Sequence, residues 1–412
     1  MRKAVTPLIL FAGAFLGVLL LQKYSFVYQE YDGLFLMSGD YFRSMFQTSF
    51  PISGIVGDFL TQFFRFGLYA PIIVGLGVAL AFLMLRSLLS RLSIGWDVLS
   101  AVLSCGLWVC IAFAPTAKRG VAVLLVIFAL WLVSRFLPKR ETLPLKPWID
   151  ILTSALIVAG VFVFLGRNES LRQRETTSAL RVAVAQGDWN RVLVIANPEA
   201  CAADRSMMPL AFMALGEKGQ LGMRLFDYPV TSQTDFDFSG LDDSYETLFF
   251  KAFLYERLNC RNEALHNFFQ LATIQEHGLS FMVLRQMVAD NYLLGNYYLV
   301  RKYADVLSRS TLHAQYARHF LGLIENAPPR TDDGVAFRQA VPLISHDPLY
   351  NLILLESNGI SSPSTVDRIL CTLLLQGDLM RFNALFRMVE DRYETVPRYY
   401  RDVLNAGVTP AR

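Results

Sequence analysis

Residues 148–177 read WIDILTSALIVAGVFVFLGRNESLRQRETT, and the change of character at Gly166 decides the fold. From Trp148 to Gly166 the only charge is Asp150, close to one end, whereas the following residues to Thr177 include Arg167, Glu169, Arg172, Arg174 and Glu175. A helix crossing a hydrocarbon layer of roughly 30 Å needs about 17 to 25 apolar residues. The first part of this stretch meets that need and the second cannot. Lipid is therefore the expected solvent before Gly166, and water after it.

Working back toward the N-terminus, four more stretches have the same length and composition: Ala4 to Leu21, Gly67 to Leu85, Val98 to Pro115 and Gly120 to Leu137. Lys, Arg and Glu are kept to their ends, where long side chains reach the interface. A hydrophobic content of 53%, a charged content of 18% and a mean hydropathy of +0.36 are too apolar for a water-soluble chain of this length. Only Thr116 to Arg119 separates the third and fourth stretches. Arg2 and Lys3 before the first apolar run resemble the start of a secretory signal, but Gln22, Lys23 and Tyr24 follow it where small residues mark a cleavage site, so an uncleaved anchor is expected.

Lys and Arg in short loops set orientation. With the N-terminus inside, one side collects Arg2, Lys3, Arg86, Arg91, Arg135, Lys139, Arg140 and Lys146, and the other Lys23, Arg43, Arg65, Lys118 and Arg119. The excess places the N-terminus in the cytoplasm, and five crossings place the C-terminal half in the periplasm of a bacterial inner membrane. Arg167, Arg172, Arg174 and Arg181 oppose this, although long domains weigh less in the rule. The charge is +6 up to Gly166 and −3 beyond it, so the polar half carries no nucleic-acid footprint.

The loop between the first two apolar stretches has two amphipathic patterns. Leu34, Phe35, Met37, Tyr41, Phe42, Met45 and Phe46 form one apolar stripe within residues 30–47, broken at Pro51 and Gly54. Val56, Phe59, Leu60, Phe63 and Phe64 form a second. Two interfacial helices at about 30–65 are expected. Acidic residues in the first external loop of a membrane glycosyltransferase act as base or metal ligand, and Glu30, Asp32, Asp40 and Asp58 are the candidates for that chemistry. The simpler reading is the solvated face of helices lying on lipid.

Beyond the polar linker Arg167 to Thr177, five short segments look like turns between antiparallel helices: Ala185 to Trp189, Gly216 to Gln220, Leu258 to Leu265, Leu294 to Tyr297 and Leu375 to Leu379. Gly187 and Gly219 are 32 residues apart and Cys260 and Gly295 are 35 apart, close to the 34-residue tetratricopeptide period. Such hairpins cannot bury their apolar stripes alone, so they stack into a solenoid with a groove. Tyr228 to Asp243 interrupts the pattern, as do prolines between Pro328 and Pro363.

Within that interruption, Asp235 to Glu246 matches the ligand positions of an EF-hand loop, although Asp242 stands where an aliphatic residue is usual. The alternative is a solvated loop in which Asp243 or Ser244 caps the next helix. No phosphate loop, dinucleotide fingerprint, zinc-protease or serine-hydrolase motif is present. His266, His277, His313, His319 and His346 lack ligand spacing, and Cys105, Cys110, Cys201, Cys260 and Cys371 form no C-x-x-C pair. Asn168-Glu-Ser170 is a chance-level glycosylation sequon. No catalytic, cofactor-binding or metal residue is assigned from the sequence.

Leu34 to Leu36 through Asp40 to Phe42, Asp58 to Phe64, Leu258 to Phe269, Tyr292 to Leu307, and Leu373 to Leu379 with Pro397 to Tyr400 carry a resemblance that runs along most of the chain. The chain resembles a domain-of-unknown-function family of Bacteroidota multi-span inner-membrane proteins with a tetratricopeptide-like C-terminal half. The resemblance implies an architecture and no activity. The expectation is an all-α protein: a bundle of about five transmembrane helices (1–166), then a soluble tetratricopeptide-like α-solenoid (167–412). Its expected partners are the lipid bilayer and a protein or peptide bound in the groove during cell-envelope assembly or transport. A glycosyltransferase acting on lipid-linked sugar is the alternative, and a calcium sensor a third.

Overall fold

The computed structural model describes residues 5–91, 97–114, 116–137, 147–238, 242–274, 280–325, 348–358 and 363–406, and every regular element among them is a helix. Contacts divide the chain into two units. The first comprises Met1–Val182 and Val306–Gln315, and the second comprises Ala183–Asp305 and Tyr316–Arg412. The division after Val182 falls inside a helix, sixteen residues beyond the change of composition at Gly166.

The first unit contains α1 (Val5–Leu21), α2 (Lys23–Asp32), α3 (Gly39–Met45), α4 (Pro51–Thr61), α5 (Tyr69–Arg91), α6 (Asp97–Phe113), α7 (Ala117–Ser134), α8 (Pro147–Arg167) and the first part of α9 (Glu169–Gln186). α5 packs against α1, α6 and α7, and α8 packs against α1 and α6. Their shared core includes Leu10, Ala14, Val18, Val78, Phe82 and Trp108. Small residues let these helices approach closely. The Trp108 indole lies where a Cβ on Gly17 would be, and Val158 does the same at Gly13. Close packing matters here because lipid offers no hydrophobic drive for helices to associate.

Toward the outside, Val126, Leu130 and Val133 of α7 and Leu156, Val163 and Phe164 of α8 are more than half exposed. Helices this apolar on their outer faces suit hydrocarbon as a solvent. Three helices are long and apolar enough to cross a membrane, namely α5, α7 and α8. α1 and α2 meet at a 74° bend and supply a fourth if they form one broken span, while α6 is apolar but shorter.

Polar side chains close both ends of this bundle. Arg91 donates through Nη1 to the carbonyls of Ser134, Arg135 and Leu137 (3.2, 3.1 and 2.8 Å), placing a cation on the unpaired carbonyls that end α7. Nearby, Arg86 pairs with Asp97 at 2.8 Å. At the other end, Gln22 and Arg174 donate to the final carbonyls of α6, Ala112 O and Phe113 O (2.9 and 2.7 Å). The bend at Gln22 has a cause in α9. Glu175 accepts from Tyr24 N, Ser25 N and Ser25 Oγ (2.6, 2.8 and 2.7 Å), so a carboxylate caps the free N–H groups that open α2.

Several sequence expectations are corrected in this unit. The stripe over 30–47 is not one helix, because α2 stops at Asp32, Gly33 is extended, and Ser38 starts α3 by accepting from Tyr41 N. Pro51 opens α4 at a position where its missing N–H costs nothing, and the helix runs through Gly54. The supposed linker from Arg167 to Thr177 is almost entirely helical. Asn168 of the sequon is its cap, with Oδ1 accepting from Leu171 N at 3.1 Å.

In the second unit, helical hairpins recur. Its elements are the end of α9, α10 (Trp189–Ile195), α11 (Pro198–Ala203), α12 (Met208–Glu217), α13 (Leu221–Arg224), α14 (Gln233–Asp237), α15 (Tyr245–Arg257), α16 (Arg261–Ile274), α17 (Phe281–Leu294), α18 (Tyr297–Ser308), α19 (Ala314–Glu325), α20 (Pro348–Ser357), α21 (Pro363–Gln376), α22 (Leu379–Val389) and α23 (Arg398–Ala406). Residues 306–315, the end of α18 and start of α19, belong to the first unit. All five expected turns are present, and each is left-handed at one residue: Gly187, Gly219, Asn259, Gly295 and Gly377, with φ between 62° and 77°. The residue after each donates back five positions, as in Asp188 N to Ala183 O (2.9 Å) and Asp378 N to Leu373 O (3.0 Å). This closes the first helix and reverses the chain. Asp188 and Asp378 then cap the second helix of their pairs.

The hairpins do not stack in single file, where each would touch only its neighbours. α21 returns to pack on α12 and α13, and α23 packs on α13. Gly216 and Gly222 make room, the first beneath Ser364 and the second beneath the Tyr400 ring. The proline-marked breaks at Pro328, Pro329 and Pro342 lie outside the described residues.

Candidate functional site

The four acidic residues of the first loop have different fates. Asp40 is exposed and 3.8 Å from Arg43, one turn away on the same helix. Asp32 ends α2. Asp58 is buried on α4, where it accepts from Tyr41 Oη at 2.7 Å and lies 3.2 Å from Lys118 Nζ. Burial, followed by the Asp58 charge, pushes the Tyr41 hydroxyl far above its usual range.

Glu30, on the last turn of α2, meets a residue from far along the chain. His313 Nε2 lies 2.8 Å from Glu30 Oε1, and the two side chains are 4% and 2% exposed. The segment carrying His313 is tied to the loop by Met37 N donating to Arg309 O at 2.8 Å.

Glu30, Gly33, Leu34, Phe35, Asp58, Thr61, Gln62, Ser310 and His313 line one cavity of about 10 Å³. That is room for one water-sized body. Gln62 opens the short 3-10 turn Gln62–Arg65, is buried, and has no hydrogen-bond partner for either amide atom. A carboxylate against an imidazole can hold and pass a proton, and the surrounding oxygens can take up a small polar guest. Sequence reasoning named Glu30 and Asp58 but set His313 aside, since nothing local signals a partner nearly three hundred residues away.

In the second unit, a groove of about 410 Å³ runs beside the α15–α16 hairpin, lined by Asp243, Lys251, Tyr255, Asn262, Glu263, His266, Asn267, Gln270 and Asn351. Asp243 and Lys251 are paired at 2.8 Å across its rim. Burial pushes the Tyr255 hydroxyl up to about 12. Four of the nine lining side chains are uncharged amides, Asn262, Asn267, Gln270 and Asn351, and Asn262 and His266 are exposed. Such side chains both donate and accept, which is what an extended backbone requires of a partner.

The calcium candidate is engaged elsewhere. Asp235 sits in α14, where it accepts from Arg205 Nε and Nη2 (3.1 and 2.6 Å), Thr231 and Ser232. The Arg205 hydrogen bond holds its carboxyl well below the usual range. Asp237 accepts from Gln233. Ser244 caps α15 by accepting from Thr247 N at 3.3 Å, the alternative expected from the sequence. Residues 239–241 lie outside the described residues.

Among the described residues, no three His, Cys, Asp or Glu side chains converge as a metal-ligating group, and all five cysteines are free. His319 stacks edge-on against Phe320. His277 and His346 lie outside the described residues. Two buried polar networks hold the second unit together. Asp290 pairs with Arg261 Nη1 at 2.7 Å, and Asp367 accepts from Tyr393 and Tyr400 (2.7 and 3.0 Å). Burial drives the Asp290 carboxyl up to about 6 and lowers the enclosed Arg368 guanidinium to about 10.

No curated protein and no solved structure matches the chain. The profile of DUF6057, a family of unknown function, matches residues 1–171 and 152–409, and the chain belongs to that family.

Proposed function

We propose that this protein is a membrane-anchored binding protein whose helical-hairpin half takes up a peptide or a segment of a partner protein. In this reading residues 1–166 cross a bacterial inner membrane five times with the N-terminus in the cytoplasm, and residues 167–412 act as a tetratricopeptide-like binding unit in the periplasm, in cell-envelope assembly or transport. Support for five passages comes from the ends of the bundle. Arg91 at the last carbonyls of α7, opposite Gln22 and Arg174 at the last carbonyls of α6, implies that successive helices alternate in direction.

The observation that carries the binding reading is the groove beside α15 and α16, which places the four amides Asn262, Asn267, Gln270 and Asn351 along one open surface. One further hairpin feature fits it: the left-handed turn at Asn259 closes the α15–α16 pair through the Cys260 N to Tyr255 O hydrogen bond (2.8 Å). A photo-crosslinking residue placed at Asn262 or His266 in the membrane-resident protein tests it. Discrete adducts from the groove positions, with none from exposed Met388, are expected. The reading is lost if groove and control positions give the same smear or nothing.

A second reading, an enzyme acting on a lipid-linked sugar, is favoured by one observation: Glu30 and Asp58 line the same cavity as His313. The cavity must open for a sugar to enter. Envelope glycans that change in a Glu30→Gln, Asp58→Asn double variant at normal protein level support it, and unchanged glycans remove it.

A further inference from the structure

α4 carries its polarity on the wrong side for a helix lying on the surface of lipid with one face in water. Ser53, Gly54, Gly57, Asp58 and Thr61 are buried against the protein, whereas Ile52, Val56 and Phe59 on the opposite face are 58, 38 and 40% exposed. The sequence pattern assigns the polar face to water, and the fold gives it to the bundle instead. Gly57 makes this possible, because a Cβ there would stand 2.7 Å from Lys118 Cα at the start of α7. The buried polar side chains are satisfied within the protein. Ser53 Oγ donates to Phe50 O (3.0 Å), Thr61 Oγ1 donates to Gly57 O (2.8 Å), and Asp58 meets Tyr41 and Lys118. Hydrocarbon penalises polar groups left unpaired, and the side chains of this helix expose none to it.

The exposed face also continues onto a span. From Phe59 to Phe63 to Tyr69 the ring centroids are 5.3 and 6.1 Å apart, and Phe66 stands 5.5 Å from Tyr69. Beyond Tyr69, exposed Ile72, Leu76, Leu80 and Leu83 carry the same apolar surface along α5, which is long and apolar enough to cross a membrane. α3 differs. Asp40, Arg43 and Ser44 are exposed on it, and so are Gln47, Thr48 and Ser49 in the turn that follows. An exposed apolar surface this continuous marks a contact, and acyl chains are the partner that the outer face of α5 already implies.

We propose that α4 is a membrane-embedded helix, packed on α7 by its polar face and covered by lipid acyl chains at Val56 and Phe59, while α3 and the turn before Phe50 stay at the water surface. The inference rests on the reading of residues 1–166 as membrane-spanning. It has a consequence for the neighbouring cavity, which Asp58, Thr61 and Gln62 line from the inner side. α4 and the turn after it become the wall between that cavity and lipid.

The test is spin-label accessibility in the full-length, cysteine-free chain reconstituted into vesicles of phosphatidylcholine and phosphatidylglycerol, with single nitroxides at Val56→Cys, Phe59→Cys, Ser44→Cys and Leu76→Cys. Oxygen concentrates in hydrocarbon, and a nickel chelate stays in water. Labels at Val56 and Phe59 are expected to collide with oxygen as often as the label at Leu76, and to meet nickel several-fold less often than the label at Ser44. Should Phe59→Cys fail to fold, Val56→Cys decides. Nickel collisions at Val56 and Phe59 equal to those at Ser44 put α4 in water and overturn the proposal. Shielding from both reagents means that a second copy or another protein covers the face, which overturns it too. Leu76 separates the two kinds of failure: with Leu76 in hydrocarbon only the embedding of α4 falls, and with Leu76 in water the membrane-spanning reading falls as well.

Discussion

His313 Nε2 and Glu30 Oε1 stand 2.8 Å apart in a nearly solvent-free contact, although 283 residues separate them in the chain. Removing the imidazole leaves a buried carboxylate with no compensating neighbour at that distance. Breaking one side of such a pair costs about 3 kcal/mol, whereas removing both is milder. His313→Ala is therefore expected to lower the unfolding midpoint sharply and His313→Ala, Glu30→Ala together less so. Additive losses in that double-mutant cycle contradict the contact.

Gly17 tests the packing of the apolar bundle, since the Trp108 ring occupies the place of a Cβ. Gly17→Val forces α1 and α6 apart, and overpacking of this kind costs about 1 to 3 kcal/mol. Loss of monodispersity or a lower midpoint in detergent is expected for Gly17→Val, while Gly106→Val, which meets open space, should behave as wild type.

Asp290 gives the second unit a defined pH response. Burial raises its folded-state pKa from 3.8 to about 6, so the native state holds the proton more tightly than the unfolded chain between those values. Stability from this group rises as pH falls from about 6 toward 4, and is lost as pH rises through 6. The full shift amounts to about 3 kcal/mol. Burial also raises Asp367 and Glu217, giving them the same sign, so the informative quantity is the difference between wild type and Asp290→Asn. That difference is expected to change between pH 4 and 6 and to be flat above 7. A difference independent of pH contradicts the assignment.

The hairpin turns make opposite forecasts at two positions. Asn259 holds φ at 65° with a side chain, so Asn259→Gly is expected to stabilise by up to about 1 kcal/mol. Gly295, at φ 77°, has no side chain to strain, and Gly295→Ala is expected to cost about 1 to 2 kcal/mol. Chemical denaturation of the full chain measures both.

The turns were legible because a left-handed residue leaves a local mark. Gly187, Gly219, Gly295 and Gly377 announce it by composition, and Asn259 is the non-glycine residue most tolerant of it. Apolar runs marked α5, α7 and α8 for the same reason, since span length is a property of consecutive residues. What stayed hidden depends on distant partners. The bend after Leu21 needs Glu175, about 150 residues on, to cap α2. The return of α21 onto α12 needs Gly216 to be bare beneath Ser364. Half of the candidate site was visible as Glu30 and Asp58, while His313 and the orphaned Gln62 become meaningful only once the chain has folded.

The central claim is the proposed lipid-embedded bundle of five passages whose successive helices alternate in direction. Single cysteines at Phe50, Phe136 and Met388 in a cysteine-free chain, probed in intact cells with a membrane-impermeant maleimide, test it most directly. All three positions are well exposed. The account predicts labelling of Phe50→Cys and Met388→Cys from outside the inner membrane and of Phe136→Cys only after the membrane is opened. Labelling of Phe136→Cys and Met388→Cys from the same side would contradict it.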